Sequence, residues 1–138
     1  IVSITPSKIS RFLTSSKEEF PTRLKQIGEK IEDTIKKYRP KSLAIEKLYM
    51  TTNQKTVMQV SEARGVIIYT AIKNNLQIFQ YTPPQIKVAV TGYGKADKRM
   101  VNSMVNKLVK INREIKNDDE MDAIAIGLTF FAIEKFKL

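Results

Sequence analysis

Leu24, Ile27, Ile31, Ile35 and Tyr38 follow one another at intervals of three and four, which lines them up on one face and predicts an amphipathic helix over residues 21–38. Pro40 closes it. Just upstream, Ser15-Ser16-Lys17-Glu18-Glu19 reads as a turn and helix start, with Ser16 and Glu19 spaced as a capping box. Residues 1–14 mix Ile, Val, Phe and Leu with Ser and Thr around Pro6, a strand, turn and strand. Ser42-Leu43-Ala44-Ile45 is a short apolar run between charged flanks, the pattern of a buried central strand, and Glu46 stands at its carboxyl end. Thr51-Thr52-Asn53 offers N-caps for a long helix to about Lys73, and Asn74-Asn75 stops it. Residues 76–81 form a further strand ended by Pro83-Pro84, and the second proline can start a short helix over residues 85–90.

Gly92-Tyr93-Gly94 breaks that helix, and Lys95-Ala96-Asp97-Lys98-Arg99 leads into another whose apolar face is Val101, Met104, Val105 and Leu108. Residues 111–116 read as a polar loop, and a last helix runs from about Asp119 to Phe136 with Ile126, Phe130 and Ile133 facing the core. Strands alternating with helices give an α/β protein in which the strands at 42–45 and 76–81 are parallel.

Composition narrows the chemistry. The 138 residues are the length of one domain with a real core, and 24 basic against 14 acidic side chains leave a net charge of +10. The basic residues are spread over several elements, which favours nucleic acid over a membrane surface as the polyanionic partner. With neither cysteine nor histidine, the chain excludes disulfides, the usual zinc sites and histidine or cysteine catalysis. Any metal must be held by oxygen, and catalysis must rest on carboxylates and lysines. No signal peptide is visible, and the longest nearly apolar run, residues 123–133, is too short to cross a bilayer, so an intracellular, cytoplasmic protein is expected.

Against that basic background Asn117-Asp118-Asp119-Glu120-Met121-Asp122 stands out. One reading is a helix first turn, where acids favour the dipole and cap backbone N–H groups. The other notes that Asp119 and Asp122 are three apart, neighbours on one helix face, and that adjacent carboxylates suit a hard cation such as Mg²⁺ or Mn²⁺. In open α/β sheets the functional crevice lies beyond the carboxyl ends of the strands, where Glu46 is placed. If the last helix packs beside that strand, three carboxylates face one cleft, and lysines around them suit a metal-dependent nuclease.

The segments Leu43-Ala44-Ile45-Glu46-Lys47-Leu48-Tyr49-Met50, Glu62-Ala63-Arg64-Gly65-Val66, Pro84-Gln85-Ile86-Lys87-Val88-Ala89-Val90-Thr91-Gly92 and Asp119-Glu120-Met121-Asp122-Ala123-Ile124-Ala125 resemble, in order and spacing, successive motifs of RuvC, the bacterial Holliday-junction resolvase family. The resemblance implies an RNase H-like fold, with a mixed central sheet flanked by helices, and a homodimer making paired, Mg²⁺-dependent nicks in a four-way DNA junction. It implies catalytic and metal-holding roles for Glu46, Asp119 and Asp122, and a base contact for Tyr49. Lys87 and Lys98 match basic residues near the scissile phosphate, Lys98 being the candidate for stabilising transition-state charge. Lys95 and Arg99 are further candidate phosphate contacts. Arg64 and Gly65 match the helix that forms much of the dimer contact, where a missing side chain at Gly65 allows close approach. A branch-migration helicase complex is a further expected partner, and Mn²⁺ an expected substitute for Mg²⁺.

Family members open with a strand carrying an Ile-Asp-Pro-Gly type motif whose aspartate is a fourth ligand, and this sequence has none. From the family pattern and typical strand lengths, about 25 to 35 residues are expected before Ile1. Two alternatives therefore stay open: a junction-binding module without nuclease activity, and a related nuclease acting on RNA or another branched substrate.

Overall fold

The computed structural model describes residues 2–5, 8–48, 54–110, 115 and 117–134, with the backbone alone at 2–5, 8–10 and 55. In chain order the elements are β1 (Val2–Thr5), β2 (Lys8–Arg11), α1 (Phe20–Tyr38), β3 (Ser42–Glu46), α2 (Gln54–Lys73), β4 (Gln77–Tyr81), α3 (Pro83–Thr91), α4 (Lys98–Leu108) and α5 (Asp118–Glu134). The chain divides into two compact units.

In the first unit, residues 12–43 and 48–79, α1 packs on α2. Helix α1 begins at Phe20, not at the Ser16–Glu19 spacing: its N-cap Glu19 makes no side-chain capping bond, and Pro21 lies in the first turn. A start at Ser16 would push Pro21 past the first turn, where its ring meets the carbonyl four residues back. Ile27, Thr70, Ala71 and Leu76 are buried. The close approach falls at Gly28, where an added Cβ would meet Val66 Cγ1 at 3.3 Å. Gly65 has open space within 4 Å of a Cβ, so the tight crossing inside the chain is made by the other glycine. Asn75, with φ of 62°, turns the chain out of α2, and its amide donates to the Ile72 carbonyl at 2.9 Å. The predicted caps of α2, residues 51–53, lie outside the described residues.

Strands β3 and β4 pair in parallel, as the alternation of strands and helices predicts: the Gln77 amide donates to the Lys41 carbonyl at 3.0 Å and the Lys47 amide to that of Tyr81 at 2.7 Å. Among the described residues this sheet is two-stranded, so β3 is half-buried rather than the fully buried strand its apolar run predicts.

The second unit, residues 2–11, 44–47 and 80–138, holds the β1–β2 hairpin, antiparallel with Val2 opposite Arg11, and α3, α4 and α5. Helix α3 starts at the first proline of the pair, with Thr82 and Gln85 capping each other, and it stops at Gly92. Asp97 caps α4 by accepting from the Met100 amide at 2.8 Å. The core holds Ile86, Val90, Ala96, Val101, Val105, Met121, Ile124 and Ala125. Leu108, expected on the buried face of α4, is exposed, because it ends the helix one turn past Val105. Ile126, Phe130 and Ile133, expected in the core, are half-buried; the face of α5 that packs inward is instead Met121, Ile124, Ala125 and Thr129, two residues round the helix.

Two glycine substitutions should separate in urea unfolding at concentrations low enough to keep the chain monomeric. Gly28→Val is expected to cost about 1–3 kcal/mol by overpacking against Val66. Gly65→Ala, with nothing to strike, is expected to stabilise by about 0.5–1 kcal/mol through helix propensity.

Candidate functional site

The second unit contains a pocket of about 220 Å³ lined by two carboxylates, Glu46 and Asp122, two lysines, Lys87 and Lys98, and apolar walls that include Ile86 and Val101. Each side chain arrives from a different element. Glu46 ends β3, so the ladder fixes its backbone while the chain beyond gives access. Lys87 lies one residue after the buried Ile86 in α3, and Lys98 opens α4 under the Asp97 cap. Asp122 follows the buried Met121 in α5, so core packing of α5 sets where its carboxylate stands.

Like charges share this space. The Glu46 carboxyl is raised above the ordinary glutamate range, first by desolvation against the pocket walls and then by the negative charge of Asp122. Lys98 answers the acids: its Nζ lies 3.2 Å from Asp118 Oδ2 and 3.6 Å from Asp122 Oδ2. The hydrogen bond that Lys98 donates to Asp118, with the charge of Asp122 behind it, holds the ammonium above the usual lysine range. Lys98 therefore stays protonated at neutral pH and can act as a charge, not as a base.

Asp119 is held elsewhere. The Arg11 guanidinium donates to Asp119 Oδ2 at 3.2 Å and to Asn117 Oδ1 at 3.0 Å, and Asp119 is not among the residues lining the pocket. Of the three expected metal-holding carboxylates, two are thus brought together and the third is paired with an arginine at the end of β2. Among the described residues no three acids gather closely enough to hold a metal ion. The donor chemistry of Glu46 and Asp122 still fits a hard dication, because both are carboxylates and one is already destabilised by the other's charge.

Of the other expected site residues, Lys95 is exposed on the stretch leading into α4 and Arg99 is exposed in its first turn, Arg64 is half-buried and Gly65 exposed on α2, and Tyr49 lies outside the described residues. Arg11 and Asn117 had no local signature in the sequence, since their bond links positions 106 apart. Glu120, within the acidic run, is buried, with 5% exposure. The signal was present: it stands one turn before Ile124, on the apolar side of α5.

Replacing Asp122 by Asn should bring the Glu46 titration, followed by carboxyl ¹³C chemical shift, part of the way back toward an ordinary glutamate, leaving the desolvation in place. A carboxyl whose folded pKa is raised lends its stability below the unfolded value and loses it as pH rises through the folded one. Glu46→Gln is accordingly expected to raise the thermal midpoint of the metal-free protein at pH 7 and to leave it unchanged below the glutamate range.

Known proteins resemble this chain along most of its length. Residues 7–130 match the family described as Crossover junction endodeoxyribonuclease RuvC. The protein of that name from Finegoldia magna is 44% identical over 90% of this chain and 76% of its own length. The one from Petrotoga mobilis is 45% identical over 81% of this chain and 69% of its own. The Thermus thermophilus RuvC structure superposes with a TM-score of 0.80 at 24% identity, covering 93% of this chain and 76% of that one. The same protein in complex with Holliday junction substrate gives 0.78 at 25% identity, over 93% and 81%. The fold is therefore that of RuvC, as the motif spacing implies, and the chain belongs to the RuvC family of crossover junction endodeoxyribonucleases.

Proposed function

We propose that this chain cuts four-way DNA junctions at the pocket of Glu46, Asp122, Lys87 and Lys98, two copies making paired symmetric nicks. The observation that carries the reading is the convergence of two carboxylates and two lysines on one pocket in a chain of net charge +10 that belongs to the RuvC family. A related protein of 25% identity has been seen bound to a Holliday junction.

Phosphodiester hydrolysis needs a water oriented in line with the scissile bond and positive charge where the transition state gains negative charge. Lys98, protonated and at the pocket, supplies such a charge, and Lys87 on the facing helix α3 holds the phosphate beside it. Glu46 and Asp122 accept from the attacking water and orient it. A divalent cation, Mg²⁺ with Mn²⁺ as substitute, would be held by Glu46, Asp122 and Asp119, and would supply Lewis acidity at the phosphate and acidify water. Asp119 would join the other two on release from Arg11. That pair is solvent-accessible on both sides and worth about 0–1 kcal/mol, so the release costs little. Lys95 and Arg99 extend the phosphate track, and Tyr49 contacts a base at the crossover.

Symmetric cutting needs a two-fold partner. On α2, Met58, Tyr69 and Ile72 are exposed apolar residues, and with Gly65 they fall at heptad-like spacing on one helix face. This face, beside Arg64, is assigned to the dimer contact. A branch-migration helicase complex is the further partner the family reading brings. No helix among the described residues is long and apolar enough to cross a membrane, and the reading places the protein at nucleoid DNA in the cytoplasm.

The absence of a three-acid group among the described residues favours a second reading, a junction-binding module without cleavage. Cleavage of an end-labelled four-way junction in Mg²⁺ separates the two. The nuclease reading predicts symmetric nicks in opposed strands, a rate lowered by at least about a hundredfold in Asp122→Asn, and by about 10²–10³ in Lys98→Ala. Tight, salt-sensitive binding with no nicked product would leave the binding module, and preference for RNA–DNA hybrid would point to a different substrate.

A further inference from the structure

The turn between α3 and α4 presents a tyrosine that neither the pocket nor the core uses. Tyr93 is 52% exposed, although its backbone is pinned on both sides. The Thr91 hydroxyl donates to the Lys87 carbonyl at 2.8 Å and accepts from the Tyr93 amide at 3.1 Å. The Tyr93 carbonyl accepts from the amide of Ala96 at 3.1 Å, and Ala96 is fully buried. Gly92, with φ of 76°, closes α3 through a bond to the Val88 carbonyl at 2.8 Å. A Cβ at Gly94 would press on Val88 Cγ2 at 3.3 Å, so the turn closes down on α3.

A rigid backbone carrying an exposed aromatic ring with only two side-chain torsions loses little entropy on contact. The surroundings name the partner. From Pro83 to Lys110 the chain carries six basic residues and one acid, Asp97, whose carboxylate is spent on the Met100 amide. The two helices that flank the turn are those that bring Lys87 and Lys98 to the pocket. Exposed Val88 and Met100 add apolar surface on the same stretch. An aromatic ring framed by cations and apolar groups matches a nucleobase with its phosphates; an acidic peptide would meet the charges but not need the ring, and α4, although basic and amphipathic, spends Val101 and Val105 of its apolar face on the core and not on a lipid surface.

We infer that Tyr93 is a DNA-contact residue that stacks on an unpaired or splayed base next to the cleavage pocket, held ready by the locked Thr91–Ala96 turn. The inference rests on the nucleic-acid reading of the pocket and adds a contact that it does not require. Stacking contributes affinity without a counterion, whereas a lysine on phosphate contributes through counterion release, and the two separate by salt dependence.

The test measures binding of the purified protein to a four-way junction and to a single-stranded oligonucleotide across a salt series, without divalent metal. Tyr93→Ala is expected to weaken binding to both by about five- to thirtyfold with the same slope of log affinity on log salt. Tyr93→Phe should bind as the parent does and Tyr93→Trp at least as tightly, while Lys95→Ala should make the slope shallower by about one. Unchanged affinity in Tyr93→Ala, or a loss that Tyr93→Phe shares, would overturn the inference. If the parent binds single strands through Tyr93 yet shows no preference for junction over duplex, the stacking contact stands and the junction reading fails.

Discussion

Glu46 and Asp122 share a pocket whose walls withhold water from Glu46 and in which the negative charge of Asp122 further disfavours the Glu46 carboxylate. What keeps them there is the packing of hydrophobic residues elsewhere in the second unit. Met121, Ile124 and Ala125 set the rotation of α5, and through it the direction of Asp122. The β3–β4 ladder sets Glu46, and the buried Ile86, Val101 and Val105 set the helices that carry the lysines. Apolar packing thus holds the Glu46 carboxylate where it is desolvated and faces a second negative charge.

In the chain itself Lys98 meets the charge of Asp122, while Arg11 holds Asp119 outside the pocket. Lys98 bridges Asp118 and Asp122, and Arg11 ties Asp119 to Asn117. These exposed pairs are weak enough to exchange for phosphate or a dication, yet they keep the opening turn of α5 from repelling itself. A basic chain with an acidic turn is coherent in this light: the excess positive charge serves a polyanionic partner, and a small part of it neutralises the site meanwhile.

Much of this was legible in the residues. The three-and-four spacing from Leu24 to Tyr38 located α1, and Glu46 at the end of an apolar run was placed correctly because strand direction fixes where such a residue emerges. The first turn of α5 was visible as charge. What stayed hidden was non-local. The Arg11–Asp119 pair joins positions that no window spans, and the burial of Glu120 depends on which side of α5 meets α3 and α4. The capping error at Ser16 was a contest between two local signals that Pro21 won. The tight helix crossing inside the chain lies at Gly28, and its partner Val66 stands far along the sequence, beyond any local window.

The central claim is that Glu46, on β3, and Asp122, on α5, act as one cation site, and direct measurement of Mn²⁺ binding by electron paramagnetic resonance tests it without reference to cleavage. The account predicts that Glu46→Gln and Asp122→Asn each weaken Mn²⁺ binding at least about tenfold, and that the double variant is little worse than either, as expected of ligands sharing one ion. Mn²⁺ bound as tightly in Glu46→Gln as in the parent would contradict it.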